Sequence, residues 1–155
     1  MILSSHVAIG VAVGTVAGSP LAGFVIGFIS HHVADMIPHT DPGSDGANVE
    51  NMLQNKKVLR QLILDLILSV LIIIFTVFIS GYSTILLVSV IGATLPDIID
   101  NSPFWSTYLR KQFPTNYYHK FHEYFHFTIT NKKYFSLGYL TQCILIAISL
   151  YIVVK

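Results

Sequence analysis

Apolar runs of helix length alternate with short polar stretches along this chain. Residues 59–80 and 135–154 form two such runs, and each reaches the roughly 20 residues that a helix needs to cross a bilayer core. Residues 82–95 form a third run that nearly reaches this length. The pattern predicts two membrane helices within residues 58–100 and a last one at 135–154.

The N-terminal apolar region is divided in two. Residues 7–17 are apolar and small, Gly18-Ser19-Pro20 interrupts them, and residues 21–37 resume the run. Because proline fits the first turn of a helix, residues 1–39 are predicted to form a helical hairpin. Each of its helices would be only about 21 to 27 Å long. The pattern therefore leaves open whether residues 21–37 fully span the bilayer.

Two polar connections complete the predicted architecture. Residues 40–57 are rich in Pro, Gly, Asp and Asn and are predicted to form a loop. Residues 101–134 are rich in aromatic side chains, which favours short amphipathic helices at a membrane interface. The predicted fold is an all-α integral membrane bundle of about four to five membrane helices, with residues 1–155 forming a single membrane-embedded domain.

Composition strengthens the membrane prediction. Charged residues make up 11% of the chain and hydrophobic residues 53%, whereas a soluble domain carries about 25% charged residues. The net charge of +1 gives no strong attraction to nucleic acid, so no nucleic-acid partner is expected. Membrane lipid is the expected partner, and the sequence does not indicate an oligomeric state.

The polar residues are distributed unequally between the two membrane faces. Tracing the predicted crossings places all the His, Asp and Glu residues on one face, with every Lys and Arg except Lys155. By the positive-inside rule this face is cytoplasmic, which predicts a protein of the cytoplasmic membrane.

The clustered histidines and carboxylates predict a metal site. Charges at the ends of apolar helices are costly unless they are paired, and a divalent cation would neutralise the carboxylates and bind neutral imidazoles. His31 and Asp35 are four residues apart and so share a helix face, as do Asp35 and His39. Helix capping and mutual pairing are the alternative explanation. The predicted ligands of one or more ions, most favourably zinc, are His6, His31, Asp35, His39, Asp65, Asp97, Asp100, His119, His122 and His126.

One stretch matches the H-E-x-x-H pattern of zinc proteases. On a helix, His122 and His126 would be ligands and Glu123 the general base. His119 and Glu123, four residues apart, form a rival ligand pair. The sequence leaves open whether Glu123 is a base or a ligand, and Asp35 is the second candidate for a catalytic base.

Four elements of the sequence form a set: His6 on a small-residue helix, Leu95-Pro96-Asp97-Ile98-Ile99-Asp100, the histidine-rich stretch 119–126, and Gly27-Phe28-Ile29-Ser30-His31-His32-Val33-Ala34-Asp35. They resemble the motifs of the YdjM-like family of membrane-bound metal-dependent hydrolases, although the Ser-His-xxx-Asp element precedes the Leu-Pro-Asp element here, the reverse of the family's order. The resemblance implies a metal site and hydrolytic activity. The spaced His/Asp and His/Glu pairs are also similar to those of zinc-dependent phospholipase C, which implies phosphoester chemistry.

The leading functional hypothesis is a metal-dependent hydrolase that acts on a phosphoester or a lipid headgroup at the membrane face. Basic side chains at 56, 57, 110 and 111 are candidates for holding its phosphate. The alternatives are a membrane zinc protease of the H-E-x-x-H type and a non-catalytic metal-binding or scaffold protein.

Overall fold

The computed structural model describes residues 1–44, 46 and 49–155, without the side chain of Glu50. These residues form α-helices joined by turns and no strand, so the all-α prediction is confirmed. Short 3₁₀ turns occupy Val49–Asn51 and Lys132–Tyr134. The helices are α1 (Leu3–Val16), α2 (Pro20–Asp35), α3 (Lys56–Ser80), α4 (Thr84–Asp100), α5 (Ser106–Leu109), α6 (Thr115–Phe125) and α7 (Phe135–Val154).

Two of the described helical segments are long and apolar enough to cross a membrane. They are α3 and the segment Lys132–Val154, which contains α7. Helices α1, α2 and α4 have 14, 16 and 17 residues. At the α-helical rise they extend about 21 to 26 Å, less than the roughly 30 Å of a hydrocarbon core. The predicted count of four to five membrane helices is therefore not confirmed.

The boundary between α1 and α2 follows from local chemistry. Pro20 occupies the first turn of α2, where its missing N–H costs no hydrogen bond. The Ser19 side chain caps this helix by accepting a hydrogen bond from the Ala22 N–H at 3.2 Å. This break lets the chain reverse and pack α2 against α1 and α4.

Helix α1 lies at the centre and packs against α2, α3, α4 and α7. Its glycines permit the close approach of α4, because an added Cβ would lie 2.8 Å from Val90 Cα at Gly10 and 2.6 Å from Leu86 Cα at Gly14. Gly18 follows Gly14 by another four residues, but a Cβ there would meet open space, so Gly18 takes no part in the packing.

The N-terminus of α1 is capped by side chains of other helices. Asp65 of α3 accepts hydrogen bonds from the backbone N–H groups of Leu3 and Ser4 at 2.7 and 2.9 Å. Gln142 of α7 accepts one from the Ile2 N–H at 2.7 Å. These acceptors satisfy N–H groups that a helix end leaves without partners, and they fix the position of His6 one turn further on.

Backbone hydrogen bonds join the segment after α2 to the segment after α6. The Ile129 N–H donates to the His39 carbonyl at 2.7 Å, and the His39 N–H donates to the Phe127 carbonyl at 3.2 Å. The Phe127 N–H also donates to the Asp35 carbonyl at 2.9 Å. This pairing brings the side chains of His39 and His126 together, with their ring centroids 4.7 Å apart.

Candidate metal centre

The start of α1, the ends of α2 and α4, and α6 with the residue after it meet at one end of the bundle. Asp35, the last residue of α2, lies at the centre of this meeting point and is fully buried. Two groups of potential metal ligands share its carboxylate. The structure therefore contains buried His/Asp clusters able to hold a cation.

The first ligand group consists of His31, Asp35, Asp97 and His122. The Nε2 atoms of His31 and His122 are 3.1 Å apart, and they lie 3.1 and 3.4 Å from the Asp35 Oδ2 atom. Asp97 Oδ1 lies 3.9 and 3.8 Å from the same two nitrogens. Ligands at zinc distances in a tetrahedron are about 3.3 Å apart, so these separations suit a single ion.

Each imidazole of this group directs Nε2 toward the other ligands and is held in place through Nδ1. His31 Nδ1 lies 2.8 Å from the Ala93 carbonyl oxygen, which can only accept, so this nitrogen carries the proton. His122 Nδ1 donates to Asp100 Oδ2 at 2.9 Å. Both Nε2 lone pairs therefore point at each other and at the Asp35 carboxylate. Such an arrangement requires a cation between them, either a proton or a metal ion.

The second ligand group consists of Asp35, His39 and His126, with Asp41 beside it. His39 Nδ1 donates to the Ile37 carbonyl at 2.8 Å, while its Nε2 lies 3.2 Å from Asp41 Oδ2 and 3.9 Å from Asp35 Oδ1. His126 Nε2 lies 3.7 Å from Asp35 Oδ2 and 3.6 Å from Asp41 Oδ2. His39, like the histidines of the first group, therefore carries a proton on Nδ1 and directs Nε2 toward carboxylates.

A positive charge lies within the second group. The Met1 ammonium is 2.7 Å from Asp35 Oδ1, 3.3 Å from Asp41 Oδ1 and 3.5 Å from His126 Nε2. Its charge compensates the buried carboxylate of Asp35 and the carboxylate of Asp41, whose side chain is 19% exposed. The carboxylates of this group therefore already face one cationic group, the Met1 ammonium.

Protonation differs between two histidines of the aromatic segment 101–134, His122 and His126. Burial lowers the pKa of the His122 imidazole, but its hydrogen bonds to Asp100 and Asp35 outweigh burial and raise that pKa to about 9. Burial and the nearby Met1 ammonium lower the pKa of His126 to about 4. At neutral pH the metal-free protein therefore carries an imidazolium at His122 and a neutral imidazole at His126.

Asp100, a predicted ligand, belongs to neither ligand group and instead binds His122 of the first group. Its carboxylate accepts from His122 Nδ1, from His119 Nδ1 at 2.9 Å and from Arg110 Nε at 3.2 Å. It thus fixes the tautomer and orientation of His122. His119, also a predicted ligand, is held by Asp100 outside both ligand groups.

Asp65, a predicted ligand, and Glu123, a predicted base or ligand, lie away from the two ligand groups. Asp65 uses both carboxylate oxygens to cap α1, since that helix end has no side-chain cap of its own. Glu123 is 68% exposed, because it lies on the outer face of α6, and its Oε1 atom is 3.6 Å from His119 Nε2. Neither residue belongs to the ligand groups found among the described residues.

His6 lies against both groups. Its ring is fully buried and stacks on the His31 ring with centroids 3.9 Å apart. Its Nε2 atom is 3.3 Å from Asp35 Oδ1 and 3.6 Å from Asp97 Oδ2. The predicted convergence of the N-terminal histidine with the motifs of α2 and α4 is thus present in the structure.

Sequence reasoning did not single out Asp41 and His32. Asp41 follows His39 by two residues, and this spacing is a signal that the sequence offered. His32 also lies near His31 and His122 and completes a further potential group. Its ring, however, packs edge-on against Phe28 and Phe121, each with centroids 5.1 Å away. That aromatic surrounding points to a packing role for His32.

An open cavity of about 470 Å³ lies against the cluster. Asp41, Asp97 and His126 line it, so residues of both ligand groups face the same space. A molecule in this cavity would reach the candidate ions directly.

A scan against protein-family models and searches of curated proteins and of solved structures find no match, so the YdjM-like resemblance stays a prediction.

Proposed function

We propose that this chain is a membrane-bound metal-dependent hydrolase that acts on a phosphoester or a lipid headgroup at the cytoplasmic face of the membrane. The observation that carries the proposal is the convergence of imidazole Nε2 atoms on the Asp35 carboxylate. At His31, His39 and His122 the Nδ1–H is already committed to an oxygen acceptor. Histidine ligands of metals are held in this way by their second nitrogen.

The surface of the long helices supports a membrane location. In the most apolar window of each candidate span only 22% of residues are buried. A core helix of a soluble protein would be mostly buried, whereas a helix in lipid exposes its apolar side chains. The site lies where helices end, which favours chemistry at the membrane face over chemistry at its middle.

The metal and the protein would divide the chemistry between them. A divalent ion, zinc most favourably, would supply a water of lowered pKa and polarisation of the ester oxygen if bound there. His31, Asp35 and His122 would hold one ion, and His39 and His126 a second. Asp97 faces both the first ligand group and the cavity, and its side chain is 15% exposed. We assign to Asp97 the orientation of the attacking water, a role that the exposed Glu123 fills less well.

Metal analysis followed by an activity assay tests this function. We expect protein purified without chelator to carry at least one divalent ion per chain and to hydrolyse bis(p-nitrophenyl) phosphate. Chelation should abolish turnover, and added zinc or manganese should restore it. A preparation with far less than one ion per chain would instead support the scaffold hypothesis.

The membrane-protease alternative makes a different prediction. It requires Glu123 to accept the proton of the water, so Glu123→Gln would abolish cleavage of a casein substrate while the metal is retained. The proposed hydrolase should instead lose phosphodiester turnover in Asp97→Asn and keep most of it in Glu123→Gln.

A further inference from the structure

The cavity beside the metal cluster is mainly apolar. Ile2, Leu62 and Ile98 contribute to its wall from three different helices or their ends. Phe104 and Trp105, 75% and 43% exposed, form its outer rim. The Trp105 indole N–H donates to the Ile98 carbonyl at 2.8 Å, so this rim is held in place. At about 470 Å³ the cavity has the size of a small-molecule binding site, which is roughly 300–1,000 Å³.

The charges around the cavity restrict what can enter it. Its ionisable side chains among the described residues are Asp41, Asp65, Asp97 and His126, and no Lys or Arg lines it. Arg110, a predicted phosphate holder, is engaged by Asp100 and Asn101 on another side of the cluster. Met1 also lines the cavity, but its ammonium already pairs with Asp35 and Asp41, so a polyanionic ligand such as a nucleotide would bring more negative charge than the described lining residues compensate. An apolar chain meets matching side chains and gains free energy by burial.

We propose that this cavity holds the hydrocarbon chain of a membrane lipid, with the ester or phosphoester end of that lipid at Asp97 and His126. The proposal rests on the proposed function for the reaction at the lipid head, while binding of the chain requires only the cavity. Aromatic side chains such as Phe104 and Trp105 favour the membrane–water interface, so the rim would lie where a lipid can enter from the bilayer.

Fluorescence of the single tryptophan of the chain, Trp105, reports occupancy of the cavity directly. The probe is a lysophosphatidic acid with bromine at the chain end, added to protein in nanodiscs, because bromine quenches indole fluorescence on contact. We expect saturable quenching at one lipid per chain. Unbrominated lipid should reverse it, whereas glycerol 3-phosphate, which has the same head without the chain, should not.

Matched variants on α3 separate binding in the cavity from partition into the bilayer. Leu62 lines the cavity, whereas Leu66, one turn further on, is exposed outside it. We expect Leu62→Phe to weaken saturable binding about tenfold by filling the cavity, and Leu66→Phe to bind like the unmodified chain. Quenching that does not saturate, or that is equal in both variants, would overturn the proposal. So would competition by glycerol 3-phosphate.

Photo-crosslinking keeps the test independent of how the variants fold. A lysophosphatidic acid with a diazirine at the chain end should label the unmodified protein at the cavity wall, near Leu62 and Ile98. Labelling confined to the outer faces of α3 and α7 would contradict the proposal. Metal content is measured on the same sample, so protein that binds lipid in the cavity without metal would refute the hydrolase alone.

Discussion

Asp35 and Asp65 are both buried carboxylates, but different groups compensate their charges. Asp65 accepts two backbone N–H groups at the start of α1, where the helix dipole also favours a negative charge. Asp35 faces imidazole nitrogens and an ammonium group instead. Of the two, only Asp35 has surroundings that suit a metal ion, although the sequence predicts both residues near one membrane face.

This difference predicts opposite outcomes for the same substitution. We expect Asp35→Asn to lose bound metal, because the carboxylate shared by both ligand groups disappears. Asp65→Asn should keep its metal but lower stability by about 1–3 kcal/mol, since the new amide N–H₂ faces a backbone donor. Metal content by mass spectrometry and thermal unfolding in detergent measure the two effects. Loss of metal in both variants would show that Asp65 also serves the site.

The proton on His122 predicts how metal affinity depends on pH. An ion must displace this proton, because the pKa of His122 in the metal-free protein is about 9. Apparent affinity should therefore rise about tenfold per pH unit between about pH 6 and pH 8, and level off above the pKa. The His126 proton is absent throughout this range and adds no further slope.

Calorimetry in two buffers of different ionisation heat measures the proton directly. We expect release of about one proton per ion from His122 near neutral pH. Asp100→Asn should release less, since it removes a hydrogen bond that raises the His122 pKa, and should weaken binding about 10–100-fold without removing a ligand. Equal proton release in both proteins would contradict the role given to Asp100.

At the scale of elements, glycine determines how closely α1 and α4 approach. Gly10 and Gly14 contact the backbone of α4, and Gly27 and Gly92 make similar close contacts between α2 and α4. The four-residue spacing of Gly10, Gly14 and Gly18 in the sequence is typical of such a face. It did not distinguish Gly18, because that residue lies in the connection after α1 and only the fold shows that nothing packs on it.

Alanine substitutions test this packing. Gly10→Ala should destabilise the protein by about 1–3 kcal/mol, because the new methyl group must push the α4 backbone away from α1. Gly18→Ala is the matched control and should leave unfolding unchanged. Thermal unfolding in detergent gives both values. An unchanged unfolding midpoint for Gly10→Ala would contradict the close contact between α1 and α4 at this position.

At the scale of the whole molecule, apolar run length predicted α3 and α7 well, because each run is continuous over the length of its helix. The site was harder to predict. His31 and Asp35 share a helix face and could be paired by spacing, whereas Asp41 reaches the site through a hydrogen bond from Thr128, 87 residues further along the chain. The nearness of Asp41 to His39 in the sequence was a local signal, but the pairing with Thr128 that holds Asp41 at the site is visible only in the fold.

The lone cysteine tests the membrane placement. Cys143 lies near the middle of α7 and is exposed. If α7 crosses the bilayer, a membrane-impermeant maleimide should label Cys143 only after detergent is added. In a Cys143→Ser background, Gly81→Cys should react from the outer side of intact cells and Lys133→Cys only after permeabilisation. The reverse pattern would place the candidate metal centre outside the cytoplasm.

The distribution of the ligands along the chain has a consequence for biogenesis. His31 precedes His122 by 91 residues, and α6 is among the last helices to be synthesised. A nascent chain that ends after α4 therefore holds Asp35 and Asp97 without the imidazole that completes their group. If this group binds an ion, we expect its capture to be a late event, so a ribosome-bound intermediate that ends before α6 should remain metal-free and open to quality-control proteases.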